Sequence, residues 1–272
     1  MKTIAKASRC ILGAFLLSPS LLFSPWASSA DCRPPGRGET VQVEYVVDGD
    51  SVRLSDGRSV RLIGINTPEL KPRNRPPESL AIEARQAVVN FLAADGDILF
   101  YVDQGKRDRH GRYLGHLFRR DAAGLHSLER HLLLQGLAYH VAIPPNLSMA
   151  ECFAIAEDTA RVYGRGLWLQ ANSVASREVR RGGYQRVSGV VKSVSLGKVW
   201  WINLEGGFVA VIYPENHRFF DPSAVRNWSG RRIEIEGWVY GVSKEGRRQW
   251  RVKLETPYAV NRVTDDKVFT WW

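Results

Sequence analysis

Residues 47–70 read VDGDSVRLSDGRSVRLIGINTPEL, and their pattern predicts the central strands of a β-structure. Apolar and polar residues alternate before the turn at 48–50, again in 51–54 and again in 59–65, which is the two-residue period of a half-buried strand. Asp56-Gly57 is a strong signal for a tight hairpin between the second and third strands. The side chains expected on one face of the first strand are Val41, Val43, Tyr45 and Val47.

Beyond this hairpin the sequence predicts two more strands and three helices. The expected elements are a helix over 78–94, strands over 97–103 and 112–119, and a helix over 127–135. A capping box, Ser148-x-x-Glu151, indicates a third helix that ends at Gly164. The fold class is therefore α+β and mainly β, with strands that can close a small barrel. The helical face expected to be buried contains Ile82, Val88, Phe91 and Leu92.

The first 30 residues have the features of a signal peptide. Three basic residues (Lys2, Lys6 and Arg9) precede an apolar run over 11–23, and small residues occupy 28–30. This run is too short to span a bilayer comfortably. We therefore expect cleavage near Ala30 and a secreted or periplasmic mature protein with no membrane attachment. A short membrane anchor is the alternative.

Two cysteines remain once the predicted signal peptide is removed, Cys32 and Cys152. An oxidising export compartment favours a disulfide between them, and two buried free thiols are the alternative. A bridge across so long a loop stabilises a fold by roughly 4–5 kcal/mol in the chain-entropy model. Two cysteines so far apart argue against zinc binding or cysteine catalysis.

The distribution of charge indicates two domains. The chain carries a net charge of +10; residues 31–172 hold 18 basic and 18 acidic residues, whereas 173–272 hold 17 and 10. Residues 173–183 have no apolar periodicity and are rich in charge and glycine, which is typical of a linker. We expect one domain over 31–172 and a second over 184–272, and a positive excess in the second favours an anionic partner.

The second domain is predicted to be a small OB-type β-barrel. Its strand candidates are 186–194, 198–204, 208–213, 231–240 and 249–254, with no long helix. The chain has nine tryptophans, and seven of them follow residue 172. Trp238 and Tyr240 lie opposite the apolar face of their strand, so they are candidates for stacking single-stranded bases while nearby cations follow the backbone. The alternative is that most of these rings fill the core.

Polar residues at the ends of the first strands indicate phosphodiester chemistry. A second basic cluster, at 106–112, precedes another strand. A phosphodiester gains negative charge as water adds to phosphorus, so catalysis needs positive charge held at that position. Arg61 and Arg112 lie on separate strands, and their planar guanidinium groups can each hold two phosphate oxygens.

The same region offers ligands for a hard cation. The Asp50 carboxylate, the Asn66 side chain and a nearby backbone carbonyl favour Ca²⁺ or Mg²⁺ over Zn²⁺, and we expect Ca²⁺. Glu69 remains free to orient or deprotonate the attacking water.

Four motifs, in the same order over residues 39–170, resemble the staphylococcal nuclease (thermonuclease) family. They are VDGDSVRL…VRLIGINTPE at 47–69, DRHGR at 108–112, QGLAY at 135–139 and RGLW at 165–168. The resemblance implies an OB-type five-stranded barrel with three helices. It also implies hydrolysis of DNA and RNA with Ca²⁺ to 3′-phosphate products.

The resemblance also implies roles for individual residues. Asp50 matches the first metal-binding aspartate of the family, and Thr67 matches the residue that supplies a backbone carbonyl to the metal. Arg61 and Arg112 match the two catalytic arginines. Glu69 matches the catalytic glutamate.

This sequence departs from the family pattern at three places. Asn66 stands where the family usually has a second aspartate, so we expect weaker metal binding. Arg109-His110 replaces a Lys-Tyr pair that helps to hold the terminal phosphate in the best-known member. That member's base-stacking tyrosine has no direct match, and Tyr139 or His140 is the candidate replacement.

The sequence therefore predicts an exported Ca²⁺-dependent nuclease acting on DNA, with RNA as a second substrate and single strands favoured. Nothing in the sequence implies a protein partner. One alternative is a nuclease-like protein that has lost turnover and only binds nucleic acid, for which Asn66 is the main argument. Another is a polyanion-binding envelope protein with no role in nucleic-acid chemistry.

Overall fold

The structure is a computed structural model, and it describes residues 32–71, 76–169, 173–244 and 246–265. The predicted signal peptide at 1–30 and the tryptophans at 271 and 272 lie outside the described residues. Within the described part of the chain, no helix has the length and apolar character needed to cross a membrane.

The first barrel is built from the strands that the hairpin pattern predicts, with three helices packed around them. Its strands are β1 (Glu39–Thr40), β2 (Val43–Val46), β3 (Ser51–Leu54), β4 (Ser59–Leu62), β5 (Ile65–Asn66), β6 (Asp97–Arg107), β7 (Tyr113–Asp121), β8 (Gly124–Ser127) and β9 (Tyr139–His140). Its helices are α1 (Ala81–Ala93), α2 (Leu128–Leu134) and α3 (Ala150–Val162), followed by a 3₁₀ turn at Gly166–Trp168.

One bent strand closes the first barrel. The main sheet has the order β1-β6-β7-β4-β3-β2, and only β4 and β7 pair in parallel. The backbone N–H of Val41, between β1 and β2, donates to the Ile98 carbonyl at 2.9 Å. β1 and β2 therefore act as a single strand that pairs with β6 at one end and with β3 at the other.

The second barrel has the same strand order. Its strands are β10 (Val174–Ala175), β11 (Gly183–Leu196), β12 (Trp200–Leu204), β13 (Val209–Ile212), β14 (Arg231–Lys244), β15 (Arg247–Lys253) and β16 (Val260–Asp265). A short helix, α4 (Pro222–Arg226), precedes β14, and 3₁₀ turns lie at Ser176–Glu178, Glu205–Gly207, Pro214–Phe219 and Pro257–Ala259. The barrel closes as β11-β12-β13-β15-β14-β11, and β13 and β15 pair in parallel. Both units therefore have OB-type topology, which confirms the predicted fold class.

The predicted facing of the first strand is wrong. Its register with β3 shifts between Val43 and Tyr45, so the alternation is interrupted there. Tyr45 and Val47 are exposed as a result, while Val46 is buried in the core.

Two predictions about the helices also fail. Ile82 is 63% exposed, because the buried face of α1 is formed by residues such as Ala84, Val88 and Phe91, and Ile82 lies on another face of the helix. The capping box at Ser148 does not form: the Ser148 hydroxyl donates instead to Asp103 Oδ2 at 2.6 Å, and the residue before α3 makes no side-chain cap.

Part of the segment read as a linker is folded onto the second barrel. Val174 and Ala175 pair in parallel with β11, and Val179 is buried in the second core. The local pattern does not predict this docking, because Val179 is the one buried apolar residue of a stretch that is otherwise mostly charged or polar.

A disulfide joins Cys32 to Cys152, with 5.5 Å between their Cα atoms. This confirms the predicted pairing. The bridge ties the chain before β1 to α3, which packs over the core of the first barrel.

Buried charges and aromatic rings hold the two barrels together. Arg161 on α3 contacts Glu234 and Glu236 on β14 at 3.3 and 3.0 Å. Arg186 on β11 contacts Glu236 at 2.9 Å. The guanidinium groups of both arginines lie over the Trp168 ring, 4.0 and 4.6 Å from its centroid. This interface fixes the outer face of β14 against the first barrel.

Candidate active site

The turn between β2 and β3 positions a buried aspartate. Asp48 Oδ1 accepts a hydrogen bond from the Asp50 backbone N–H at 3.1 Å, and Asp50 is only 6% exposed. A Cβ atom at Gly49 would lie 2.7 Å from the Thr67 side chain, so only glycine allows Thr67 to pack against the turn. The turn and the end of β5 are therefore in direct contact.

Asp50 is the centre of this contact. Its Oδ2 atom lies 2.5 Å from Arg61 Nη1 and accepts a hydrogen bond from the Thr67 backbone N–H at 3.0 Å. Arg61 also donates to the carbonyls of Leu62 and Ile65 at 3.1 and 3.2 Å, and its Nη2 atom lies 3.4 Å from Asn66 Oδ1. The guanidinium orientation is thus fixed by groups from three successive strands.

Arg112, the residue just before β7, extends its guanidinium group toward Asp50. Arg61 is opposite Ser51 in β3 and Leu114 in β7, so the parallel β4–β7 pairing brings the two arginines to one side of the barrel. Arg112 Nε donates to Asp108 Oδ2 at 2.8 Å, and its Nη1 lies 3.4 Å from the Ser51 hydroxyl. That hydroxyl donates to Asp50 Oδ1 at 3.0 Å.

Glu69 lies on an exposed segment beside these charges. Its backbone N–H donates to Glu78 Oε2 at 3.0 Å, and its carbonyl accepts from the Glu78 N–H at 2.9 Å. Partial burial, followed by the charges of Asp50 and Glu78, raises the pKa of Glu69, while Arg61 and Arg112 act in the opposite direction. The Glu69 carboxylate therefore lies near enough to Asp50, Arg61 and Arg112 to interact with their charges.

The oxygen atoms of the site fit a divalent cation. Burial, and then the neighbouring Asp50 carboxylate, raise the pKa of Asp48 to about 6. The Asn66 side chain is nearby, and the buried Thr67 hydroxyl has no hydrogen-bond partner. Two crowded carboxylates with an amide and a threonine form a set of hard oxygen donors suited to Ca²⁺ or Mg²⁺. In the described ranges, no cluster of three or more His, Cys, Asp or Glu side chains is placed to hold a metal, so the amide and backbone oxygens matter here.

Sequence reasoning missed two residues of this site. The sequence pattern places Asp48 only in a turn, although its position two residues before Asp50 is a usable signal for a second carboxylate. The pattern places Ser51 only in a strand, yet its hydroxyl connects Arg112 to Asp50.

The other candidate binding residues of the first barrel lie outside this cluster. Arg109 and His110 are exposed in the turn before Arg112, where Arg109 Nε donates to His110 Nε2 at 3.1 Å. His140 is 6% exposed, and burial lowers its pKa to about 4. Tyr139 packs edge-on against Trp168 at 5.5 Å between ring centroids. Neither His140 nor Tyr139 presents a free ring for stacking a base.

A groove of about 420 Å³ runs beside the two arginines. Arg61 and Arg112 line it from the first barrel, and Trp238 lines it from the second. Tyr240 lies outside this groove, where its hydroxyl is paired with Tyr213, and burial, followed by that hydrogen bond, raises its pKa to about 12. The structure thus brings one of the two predicted aromatic residues to the site.

Comparison with known proteins agrees with this geometry. Residues 59–170 match the family described as staphylococcal nuclease homologue, a range that includes Arg61, Glu69 and Arg112. The chain is 29% identical over 133 residues to the thermonuclease of Staphylococcus hyicus, covering 48% of this chain and 76% of that protein. It is 33% identical over 113 residues to the thermonuclease of Staphylococcus intermedius, covering 40% and 64%.

The name of a third relative states no activity. It is an uncharacterized protein of Methanocaldococcus jannaschii, 29% identical over 152 residues, with 48% of this chain and 72% of that protein covered. Over residues 59–170, which form most of the first barrel and contain Arg61, Glu69 and Arg112, this chain is similar to the staphylococcal nuclease family.

Proposed function

We propose that this protein is an exported, Ca²⁺-dependent nuclease that hydrolyses phosphodiester bonds of DNA, and of RNA as a second substrate. The observation that supports this most strongly is that Arg61 and Arg112 meet at Asp50, with Glu69 near enough to interact with their charges. A protein that only binds nucleic acid needs the cations but has no use for a carboxylate beside them.

Arg61 and Arg112 bind the non-bridging oxygens of the scissile phosphate in this proposal. Asp50 fixes the Arg61 guanidinium, and Asp108 fixes that of Arg112, so little reorganisation is needed as charge develops on phosphorus. Both groups stay charged at any working pH.

Glu69 acts as the general base. It accepts a proton from the attacking water, and its raised pKa makes it a stronger base than an ordinary glutamate. The water oxygen bonds to phosphorus, the bond from phosphorus to the 5′ oxygen breaks, and that oxygen takes up a proton from solvent. The products are a 3′-phosphate and a 5′-hydroxyl.

Asp48, Asp50, Asn66 and Thr67 are the residues that would hold the cation. When bound there, Ca²⁺ supplies positive charge that offsets the negative charge of the phosphate. The residues present suit the ion, although Asn66 contributes an amide dipole in place of a full charge, so we expect a weak site.

Export is supported by the predicted signal peptide and by the disulfide. Disulfides persist in oxidising compartments such as the periplasm or the extracellular medium. The compartment is tested by fractionating producing cells: the proposal expects mature chain starting near Ala30 outside the cytoplasm. Full-length chain in the cytoplasmic fraction would contradict it.

The test of the activity is digestion of single-stranded DNA at increasing Ca²⁺, with Mg²⁺ and with EGTA in parallel. The proposal expects hydrolysis that depends on Ca²⁺, is weaker with Mg²⁺ and is abolished by EGTA. Binding of the same DNA without hydrolysis at any Ca²⁺ concentration would instead favour the nuclease-like binding protein. Equal binding of heparin and DNA, again without hydrolysis, would favour a general polyanion-binding protein.

A further inference from the structure

The groove beside Arg61 and Arg112 is shared by the two barrels. One wall consists of 61–65 and the turn at 105–112, a second wall is the segment 141–146, and Trp238 on β14 closes the groove from the second barrel. Residues from both barrels are therefore needed to form it.

The lining of the groove combines an apolar surface with guanidinium groups. Leu114, Val141 and Ile143 are apolar side chains in its wall, and Ile143 is 42% exposed. Arg107 and Arg112 lie at the same groove. A flat, uncharged ring that carries a phosphate fits both parts, because the ring can cover the apolar wall while the phosphate meets the arginines.

The polar side chain of the second wall, Asn146, already makes hydrogen bonds with the protein backbone. Asn146 Oδ1 accepts from the Gly105 backbone N–H at 2.6 Å, and Asn146 Nδ2 donates to the Gly105 carbonyl at 3.3 Å. The amide therefore holds the wall in place. With its polar atoms occupied, it is poorly placed to select one base by hydrogen bonding.

Trp238 is exposed yet held in a fixed orientation. Its side chain is 44% exposed, and its ring meets the Tyr184 ring edge-on at 5.1 Å between centroids. The Tyr184 hydroxyl lies 3.4 Å from Glu236 Oε2, and its ring packs on Tyr139 at 5.1 Å. A ring already held in this way loses little conformational freedom when a ligand stacks on it.

We propose that Trp238 completes a subsite that stacks an unpaired nucleobase next to the phosphate held by Arg61 and Arg112. This inference rests on the proposed nuclease function and adds a role for the second barrel within the site itself. The subsite accepts any base, because stacking uses the π-face that all bases share. It requires the base to be free of a duplex partner, so it favours single strands.

The test compares two fluorescein-labelled hexamers, one of thymidine nucleotides and one of abasic tetrahydrofuran nucleotides. Trp238→Ala should raise KM for the thymidine hexamer about fivefold or more, which is the size expected for loss of one stacked base. It should leave KM for the abasic hexamer unchanged. Trp238→Phe should retain most of the affinity, because a ring is still present.

Tyr45→Ala is the matched control. Tyr45 is 52% exposed on the first barrel and does not line the groove, so its removal should change KM for neither hexamer. Thermal unfolding of each variant checks that the fold is retained, and Trp238→Leu, which keeps an apolar side chain but removes the aromatic ring, serves if Trp238→Ala does not fold.

Two results would overturn the inference: an unchanged KM of Trp238→Ala for the thymidine hexamer, or an equal rise in KM for both hexamers.

Fluorescence anisotropy of the same hexamers separates this inference from the nuclease proposal. If the wild type binds but does not hydrolyse, a base-dependent loss of affinity in Trp238→Ala still supports the subsite, whereas the nuclease proposal fails. Equal affinities of wild type and Trp238→Ala would remove the subsite.

Discussion

At the scale of single residues, the site depends on how many groups share Asp50. Its two oxygens contact Arg61, the Thr67 backbone and the Ser51 hydroxyl, and the neighbouring Asp48 carboxylate adds negative charge. Asp50 is buried and Asp48 is half-buried, and Arg61 offsets only part of their negative charge, so the site can accept a further positive charge. Asn66, which stands where the staphylococcal nuclease family usually has an aspartate, adds no negative charge to this site.

Asn66→Asp should strengthen Ca²⁺ binding, by about tenfold, because a third carboxylate joins Asp48 and Asp50. Without Ca²⁺ the same change should lower the melting temperature, since like charges repel in a buried site. Isothermal titration with Ca²⁺, and thermal unfolding with Ca²⁺ or EGTA, measure the two effects. Unchanged Ca²⁺ affinity would show that residue 66 does not contact the ion.

The sequence could predict that phosphate-binding arginines and metal-binding oxygens meet here, but not every residue that takes part. Arg61 and Asp50 lie on adjacent strands of one hairpin, so their proximity follows from the local pattern. Arg112 joins them through the parallel β4–β7 pairing, a long-range contact that residue spacing alone does not fix. The close packing of Thr67 against Gly49, which brings the end of β5 to this turn, is another contact that no local pattern encodes.

At the scale of elements, α3 connects three parts of the molecule. Cys152 carries the disulfide, Phe153 is buried in the first core and Arg161 reaches the second barrel. The capping box at Ser148 predicts this helix, but its start is misplaced because Ser148 bonds to Asp103 rather than capping the helix. A competing tertiary hydrogen bond outweighed the local signal.

Loss of the disulfide should lower the free energy of unfolding by about 2–5 kcal/mol, because the bridge restrains a long loop in the unfolded chain. Urea denaturation of the wild type and of Cys32→Ser measures this. A reducing agent should lower the stability of the wild type and leave that of Cys32→Ser unchanged. Equal stability of the two proteins under oxidising conditions would contradict the prediction.

The pH dependence of stability should reveal a buried carboxyl group on α3. Burial, and then the charge of Glu236, raise the pKa of Glu157 to about 8. Between about pH 5 and 8 the folded state then holds a proton that the unfolded state releases, so the free energy of unfolding falls as the pH rises through this window.

In Glu157→Gln the free energy of unfolding should fall less as the pH rises through this window, because the amide side chain does not titrate. Urea midpoints at pH 6 and pH 9 measure it, with Glu151→Gln, an exposed position on the same helix, as the control. An equal fall in wild type and Glu157→Gln would show that Glu157 keeps an ordinary pKa.

At the scale of the whole molecule, two barrels of the same topology form one unit around a charged interface. Ile233 and Ile235 of β14 are buried in the core, and the glutamates of this strand lie on the opposite face, the face of Trp238. That face was expected to meet solvent or nucleic acid, yet Glu236 is only 4% exposed. Its partners Arg161 and Arg186 lie 50 or more residues away in the chain, beyond the reach of any local pattern.

Arg161→Met should destabilise the protein by about 3–5 kcal/mol, because it leaves Glu236 with less compensation in a buried site. Arg226→Met, on an exposed face of α4, is the control and should have little effect. Denaturation curves of both variants measure the difference. Equal stability of the two would show that the interface does not hold the barrels together in solution.

Catalysis in this proposal depends on Glu69 acting as a base beside two arginines. The most direct test is the hydrolysis rate of single-stranded DNA at saturating Ca²⁺ for wild type, Glu69→Gln and Glu83→Gln. Glu83 is the control, since it is an exposed carboxylate on α1 and is not one of the site residues. We expect kcat to fall about 10²-fold or more in Glu69→Gln and to stay near the wild-type value in Glu83→Gln. A wild-type kcat in Glu69→Gln would contradict the proposed mechanism.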